Sequence, residues 1–266
     1  MNTKTLSHLV VGLTFLLGSS TLGVAAESGH SGHATGPGKP LPPGWEPAVH
    51  DSMLRTFTLL EKAEFRTGDA PDAVVVDAQG WVGGDYQRLG WKAEGEQETT
   101  GEKSGEFEVQ ALYGRVFSPF WDFHTGLRVD RHYRGPTRET TGYFVVGIEG
   151  LAPYWFEVAP TLFVSEKGKT TFRFTASYEQ LLTQRLVVQP RLDLNMAFQD
   201  DRRRDVAAGF NDVELGLRLR YDLKRQFSPY IGVTWRRLLG ATAGLGRRSR
   251  AQVSQTSVVI GLRAWF

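Results

Sequence analysis

From Leu54 to Phe266 the chain repeats one pattern: a run of about ten residues in which apolar and polar side chains alternate, a break, then another run. A strand sends successive side chains to opposite faces, so a period of two means strands with one apolar and one polar face. In "FEVQALYGRVF" (107–117), Phe107, Val109, Ala111 and Tyr113 oppose Glu108, Gln110, Leu112 and Gly114. In "DFHTGLRVD" (122–130), Phe123, Thr125, Leu127 and Val129 oppose Asp122, His124, Gly126, Arg128 and Asp130. "TFRFTASYE", "LVVQPRLDLNMAF" and "DVELGLRLRYD" repeat the pattern. The last run, "SVVIGLRAWF" (257–266), places Val258, Ile260, Leu262, Ala264 and Phe266 on one face. A terminal strand this apolar has to be paired and covered.

The breaks fall into two classes. Short ones carry a small residue, a proline and aromatics: "SPFW" (118–121), "APYW" (152–155) and "SPY" (228–230). Longer, polar ones are "EQETTGEKSGE" (96–106), "RHYRGPTRETTG" (131–142), "QDDRRRDVAAGFND" (199–212) and "GATAGLGRRSRAQVSQ" (240–255). Tight turns at one end and long loops at the other describe an antiparallel up-and-down meander of about twelve strands, or eight or ten if short runs merge.

Alternation alone does not say which face is inside, since a lipocalin-like barrel with an apolar interior shares the period. Three features favour the opposite orientation. Phe120, Trp121, Tyr154, Trp155, Tyr230, Trp265 and Phe266 all fall at or beside the short-turn end, where an aromatic girdle would meet a bilayer interface. The polar faces carry both signs of charge, which pair across a wet lumen better than in a dry core. The chain has no cysteine to staple a small secreted barrel. The expected fold is all-β: a transmembrane antiparallel up-and-down β-barrel over residues 53–266, its last strand paired with its first so that no edge is free.

Ahead of the barrel, Lys4, the apolar stretch 9–18 and "VAA" (24–26) read as a secretory signal over residues 1–26. No later stretch approaches ~18 uninterrupted apolar residues, so no transmembrane helix is expected. Residues 27–52, rich in Gly and Pro and containing histidines, read as a flexible tail. The formal charge of +2 falls by one when Lys4 leaves with the signal, and this near balance argues against a nucleic-acid partner.

The phrases "DAQGWVGGDYQRL", "VQALYGRVFSPFWDFHTGLR", "GIEGLAPYWFEVAPTLFV", "YEQLLTQRLVVQPRLDLN" and "DVELGLRLRYDLKRQFSPYIGVTW" together resemble the CopB family of outer-membrane copper-resistance proteins. The resemblance implies a protein of the bacterial outer membrane, surrounded by its lipid and with its tail in the periplasm. It would bind copper ions and lower copper toxicity beside a periplasmic multicopper oxidase. Family members often carry an amino-terminal tract dense in Met and His, suited to copper because thioether favours Cu(I) and imidazole accepts Cu(II). Here the tail offers only His30, His33 and His50, with Met53 following.

The candidate metal ligands are therefore His30, His33, His50, Met53 and, on a polar strand face, His124. Each has a plainer reading: a solvated linker for the tail residues, a strand start for Met53, and a hydrogen-bonded lumen histidine for His124. His132 lies just beyond, in an expected loop. Glu108, Glu149, Glu157, Glu179, Asp193 and Glu214 should project inward with Arg173, Arg191, Arg218 and Arg263, either as a cation path or as pairs that plug and stiffen the lumen. Met196 should face lipid. No catalysis is expected, because no Ser/His spacing places a nucleophile beside a base. The competing functional reading is a structural barrel or narrow pore without metal selectivity.

Overall fold

A computed structural model describes residues 54–101, 104–201, 204–249 and 251–266. The expected signal, the tail and Met53 lie outside the described residues, and with them His30, His33 and His50. The strands are β1 (Arg55–Gly68), β2 (Ala73–Gly83), β3 (Gln87–Glu98), β4 (Ser104–Ser118), β5 (Trp121–Arg134), β6 (Thr137–Ala152), β7 (Phe156–Ser165), β8 (Thr170–Ser177), β9 (Gln180–Leu181), β10 (Leu186–Ala197), β11 (Gly209–Tyr221), β12 (Phe227–Leu238) and β13 (Ser254–Trp265), with one helix, α1 (Gly240–Arg248).

Twelve of these strands form a closed antiparallel ring; the two-residue β9 pairs with β10 beyond the end of β8. Closure is made by β13 against β1, with Phe65 opposite Ile260 and Glu64 opposite Gly261. At the last rung the Thr58 N–H donates to the Phe266 carbonyl at 3.0 Å and the Phe266 N–H donates back at 2.9 Å. The terminal strand is thus bonded on both edges.

The two faces sort as the alternation requires. Leu127, Ile260, Leu217 and Ile231 point outward and are 64, 62, 54 and 54 % exposed. The inward rows are charged, and Glu64, Asp130, Arg218 and Arg220 are buried. An apolar exterior this continuous has no place in water, and a charged interior rules out the lipocalin-like orientation; this is an outer-membrane type of barrel. Met196, in register between Phe172 and Phe210, lies on the outward row.

Several expectations need correction. Residues 131–142 are not a loop: β5 and β6 run on to Arg134 and from Thr137, joined by Gly135 and Pro136, with Gly135 at φ 55°. The apolar signal stops at Val129 because the hairpin leaves the apolar band there, although the strands do not end. "SPY" is not a turn either. Ser228, Pro229 and Tyr230 belong to β12, and Pro229 precedes the first β11–β12 pair, Arg220 with Tyr230, a position where a strand tolerates proline. Tyr230 and Trp265 do not join an outward girdle. Tyr230 shares its face with buried Ser228 and Thr234, and Trp265 shares its face with Arg263, so both point inward. Phe120, Tyr154, Trp155 and Phe266 do stand exposed at the turn end. Finally, the expected loop 240–255 contains α1, concealed in the sequence by Gly240, Gly244 and Gly246, all poor helix formers.

Helix α1 and the connection after β10 cover the loop end of the barrel. The Thr242 hydroxyl accepts from the Ala207 N–H and from Asn211 Nδ2, each at 3.0 Å. Beneath them is a cavity of about 450 Å³ lined by Glu106, Arg128, His132, Asn211 and Thr242 among others.

Candidate functional site

The polar faces of the strands converge on the lumen, and their charges are tied to each other across it. Arg173 of β8 reaches Glu94 of β3 at 3.3 Å and Glu108 of β4 at 3.0 Å. Arg191 of β10 reaches Glu61 of β1 at 3.5 Å and its own strand neighbour Asp193 at 2.8 Å. Arg218 of β11 meets Glu64 of β1 at 3.0 Å, and Arg66 of β1 meets Glu214 of β11 at 3.2 Å. These bridges join distant strands of the ring, so they brace it like spokes. They also interrupt the interior, which is left with cavities of about 190 and 110 Å³ that share Asp77, Glu94, Arg173 and Arg191 in their walls.

A local irregularity loads the lumen further. The register of β1 shifts between Leu60 and Lys62, and both Glu61 and Lys62 make lumenal ion pairs, the latter with Asp77 at 3.4 Å. The bulge thus turns two consecutive side chains inward. Glu61, Lys62, Glu64, Arg66, Asp77, Lys92 and Glu94 were not among the inward residues expected from the sequence. For Lys92 and Glu94 the signal was present, in the alternation of "KAEGE". For Glu61 and Lys62 the bulge erased it.

Every inward residue that the parity did name is found inside. Glu179, in the connection between β8 and β9, accepts from Arg220 at 2.8 Å and lies 3.3 Å from Arg263. The Arg220 hydrogen bond, opposed by burial and aided by the charges of Arg263 and Arg220, holds its carboxyl below the usual glutamate range.

His124 is 7 % exposed and faces the lumen from β5. Its Nε2 lies 3.5 Å from the Thr161 hydroxyl, over Gly147, where a Cβ would collide with the ring. The same cavity wall holds Lys92, whose ammonium donates to Glu149 at 2.8 Å. A cation brought to His124 would meet that ammonium, so this imidazole is poorly placed to hold copper unaided. His132 is on the same face of β5, eight residues on and about 26 Å away at roughly 3.3 Å per residue. It stands directly opposite Glu106 on β4 and Glu139 on β6. Among the described residues no group of three or more His, Asp or Glu side chains is arranged to hold a metal ion. Of the candidate ligands, His124 alone lies among the described residues.

The family model described as "Copper resistance protein B precursor (CopB)" matches residues 54–266. The chain is 39 % identical over 219 residues to a Copper resistance protein B of Escherichia coli, covering 82 % of this chain and 72 % of that one. It is 37 % identical over 242 residues to a Copper resistance protein B homolog of Pseudomonas syringae pv. tomato, covering 91 % and 76 %. Among solved structures it is similar to the NanC porin, at 13 % identity with a TM-score of 0.49, covering 79 % of this chain and 99 % of the porin.

Proposed function

The chain belongs to the copper resistance protein B family, and from that premise we propose that it binds copper at the outer membrane and lowers copper toxicity, by sequestering the ion or by moving it across the membrane. The observation that carries this reading is the family match over the whole barrel, residues 54–266. Copper is the cargo, and the protein is a binder or conduit with no catalytic step of its own.

The donor chemistry divides between two places. In the tail His30, His33 and His50 supply imidazole, and Met53 just after it supplies a thioether, ligands that between them suit both copper oxidation states. In the lumen, His124 and His132 put imidazoles at two levels of one strand, and His132 faces Glu106 across the β4–β5 ladder. Most other lumenal carboxylates are already matched to guanidinium groups, so capture falls to the tail and the lumen imidazoles act as secondary contacts. A tail in the periplasm would hand copper to, or accept it from, a periplasmic multicopper oxidase.

The test is copper bound per mole of purified mature protein, compared with a deletion of residues 27–52 and with His124→Ala. Deleting the tail should abolish most of the binding, while His124→Ala should remove a minor part. Copper uptake by the intact protein no greater than that of an unrelated barrel would defeat the proposal. A structural barrel without metal selectivity is the second reading, and the cross-lumen ion pairs favour it.

A further inference from the structure

The β5–β6 hairpin changes character on its outer face where it leaves the apolar band. Leu127 pairs with Phe144, and with Val129 they are 64, 50 and 51 % exposed. The next outward residue on β5 is Arg131, opposite Phe107 on β4 and Thr140 on β6. The pair after it is Tyr133 with Arg138. Arg131 and Arg138 are therefore diagonal neighbours on one surface, about 7 Å apart by strand geometry. Both are exposed, and neither has an ion-pair partner among the described residues. Tyr133 leans the other way, over Gly105 of β4, where a Cβ would come within 2.7 Å of its ring. That leaves the surface between the two guanidinium groups uncovered by the intervening aromatic.

We propose that this face binds a phosphorylated lipid, its acyl chains against Phe107, Leu127, Val129 and Phe144 and its head-group phosphate between Arg131 and Arg138. Two like charges side by side on a sheet repel, and an anion seated between them removes that cost. Guanidinium groups match phosphate oxygens in a bidentate fork, whereas they are costly against hydrocarbon. The apolar-to-cationic step along β5 takes two residues, the same abrupt change that a lipid makes from its chains to its head group. The inference stands on the outer surface alone and is independent of copper.

The experiment uses the full chain folded in neutral detergent, with bisphosphorylated lipid A as the probe and lipid retention read by native mass spectrometry. Arg131→Gln with Arg138→Gln should weaken retention about tenfold or more, and lipid A stripped of both phosphates should not distinguish the variant from the parent. Equal retention of the phosphorylated probe by both proteins would overturn the proposal. So would equal retention of the dephosphorylated probe by the parent, or displacement of the lipid by inorganic phosphate alone, the mark of a free-anion site. Heat-modifiable gel mobility checks folding. Should the double variant not fold, Arg138→Gln alone, beside the hairpin tip, carries the same comparison, and Arg138→Lys should recover part of the binding.

Discussion

Glu64 illustrates how much one lumenal side chain can hold. It is 2 % exposed and accepts from Arg66 at 2.7 Å, from Arg218 at 3.0 Å and from the Tyr230 hydroxyl at 3.0 Å, while Gly261 provides the space that the Tyr230 ring occupies. Neutralising it strands a buried guanidinium. Glu64→Gln should destabilise the barrel by about 3 kcal/mol, because breaking a buried pair costs more than the pair itself contributes. Adding Arg218→Met should recover much of that loss, since no unpaired charge then remains. Denaturant unfolding of the two variants in detergent measures the difference; a double variant no more stable than Glu64→Gln would contradict the account. None of this was legible in "TFTLLEKAEF", where the bulge at Glu61 breaks the alternation that marks Glu108, Asp193 and Glu214 as inward.

The strands announce themselves where their two faces differ in polarity and go unannounced where they do not. β5 and β6 continue through Arg131, His132, Tyr133 and Arg134 and through Thr137, Arg138, Glu139 and Thr140, polar or amphipathic on both sides, so the ladder there is visible only in the folded chain. Helix α1 was hidden for a related reason: its glycines lower helix propensity, and it is held by contacts from outside itself. Thr242 is the clearest of these, accepting from both Ala207 and Asn211. Thr242→Val keeps the volume but leaves those donors without this acceptor, at a cost of about 1–3 kcal/mol. Amide exchange in α1 and in residues 204–208 should then quicken roughly tenfold or more while the strand amides stay protected. Thr242→Ser should restore the parent's protection.

At the scale of the whole molecule, closure of the ring and the ties across it serve one end. An outer-membrane barrel cannot bury its outward rows in a core, so here lipid covers the outside, while the inside is held by ion pairs around a small buried apolar cluster of Leu112, Val145 and Phe163. Because Arg173 spans from β8 to Glu94 and Glu108, and Arg191 from β10 to Glu61, the parent protein should pass little ionic current in planar bilayers. Replacing Arg173, Glu94 and Glu108 together by Ser removes one spoke with both of its carboxylates, so that no charge of that bridge is stranded, and Arg128 keeps Asp130 as a partner. That variant should show discrete conductance steps absent from the parent; a parent that already conducts freely would show that the spokes do not block the path.

The sequence by itself determined an antiparallel barrel of about twelve strands from its period of two, and, from the aromatics at its short turns and the mixed charges of its polar faces, an apolar face turned outward with His124 and most of the lumenal charges inward. Local patterns suffice for that, since each strand records its two unlike faces and the turns and charges record which of them meets lipid. Which charge pairs with which, the inward turn of Tyr230 and Trp265, the bulge at Glu61 and the cover formed by α1 were decided only in the tertiary structure. These depend on register between strands far apart in sequence, and register sets distances that no single strand encodes.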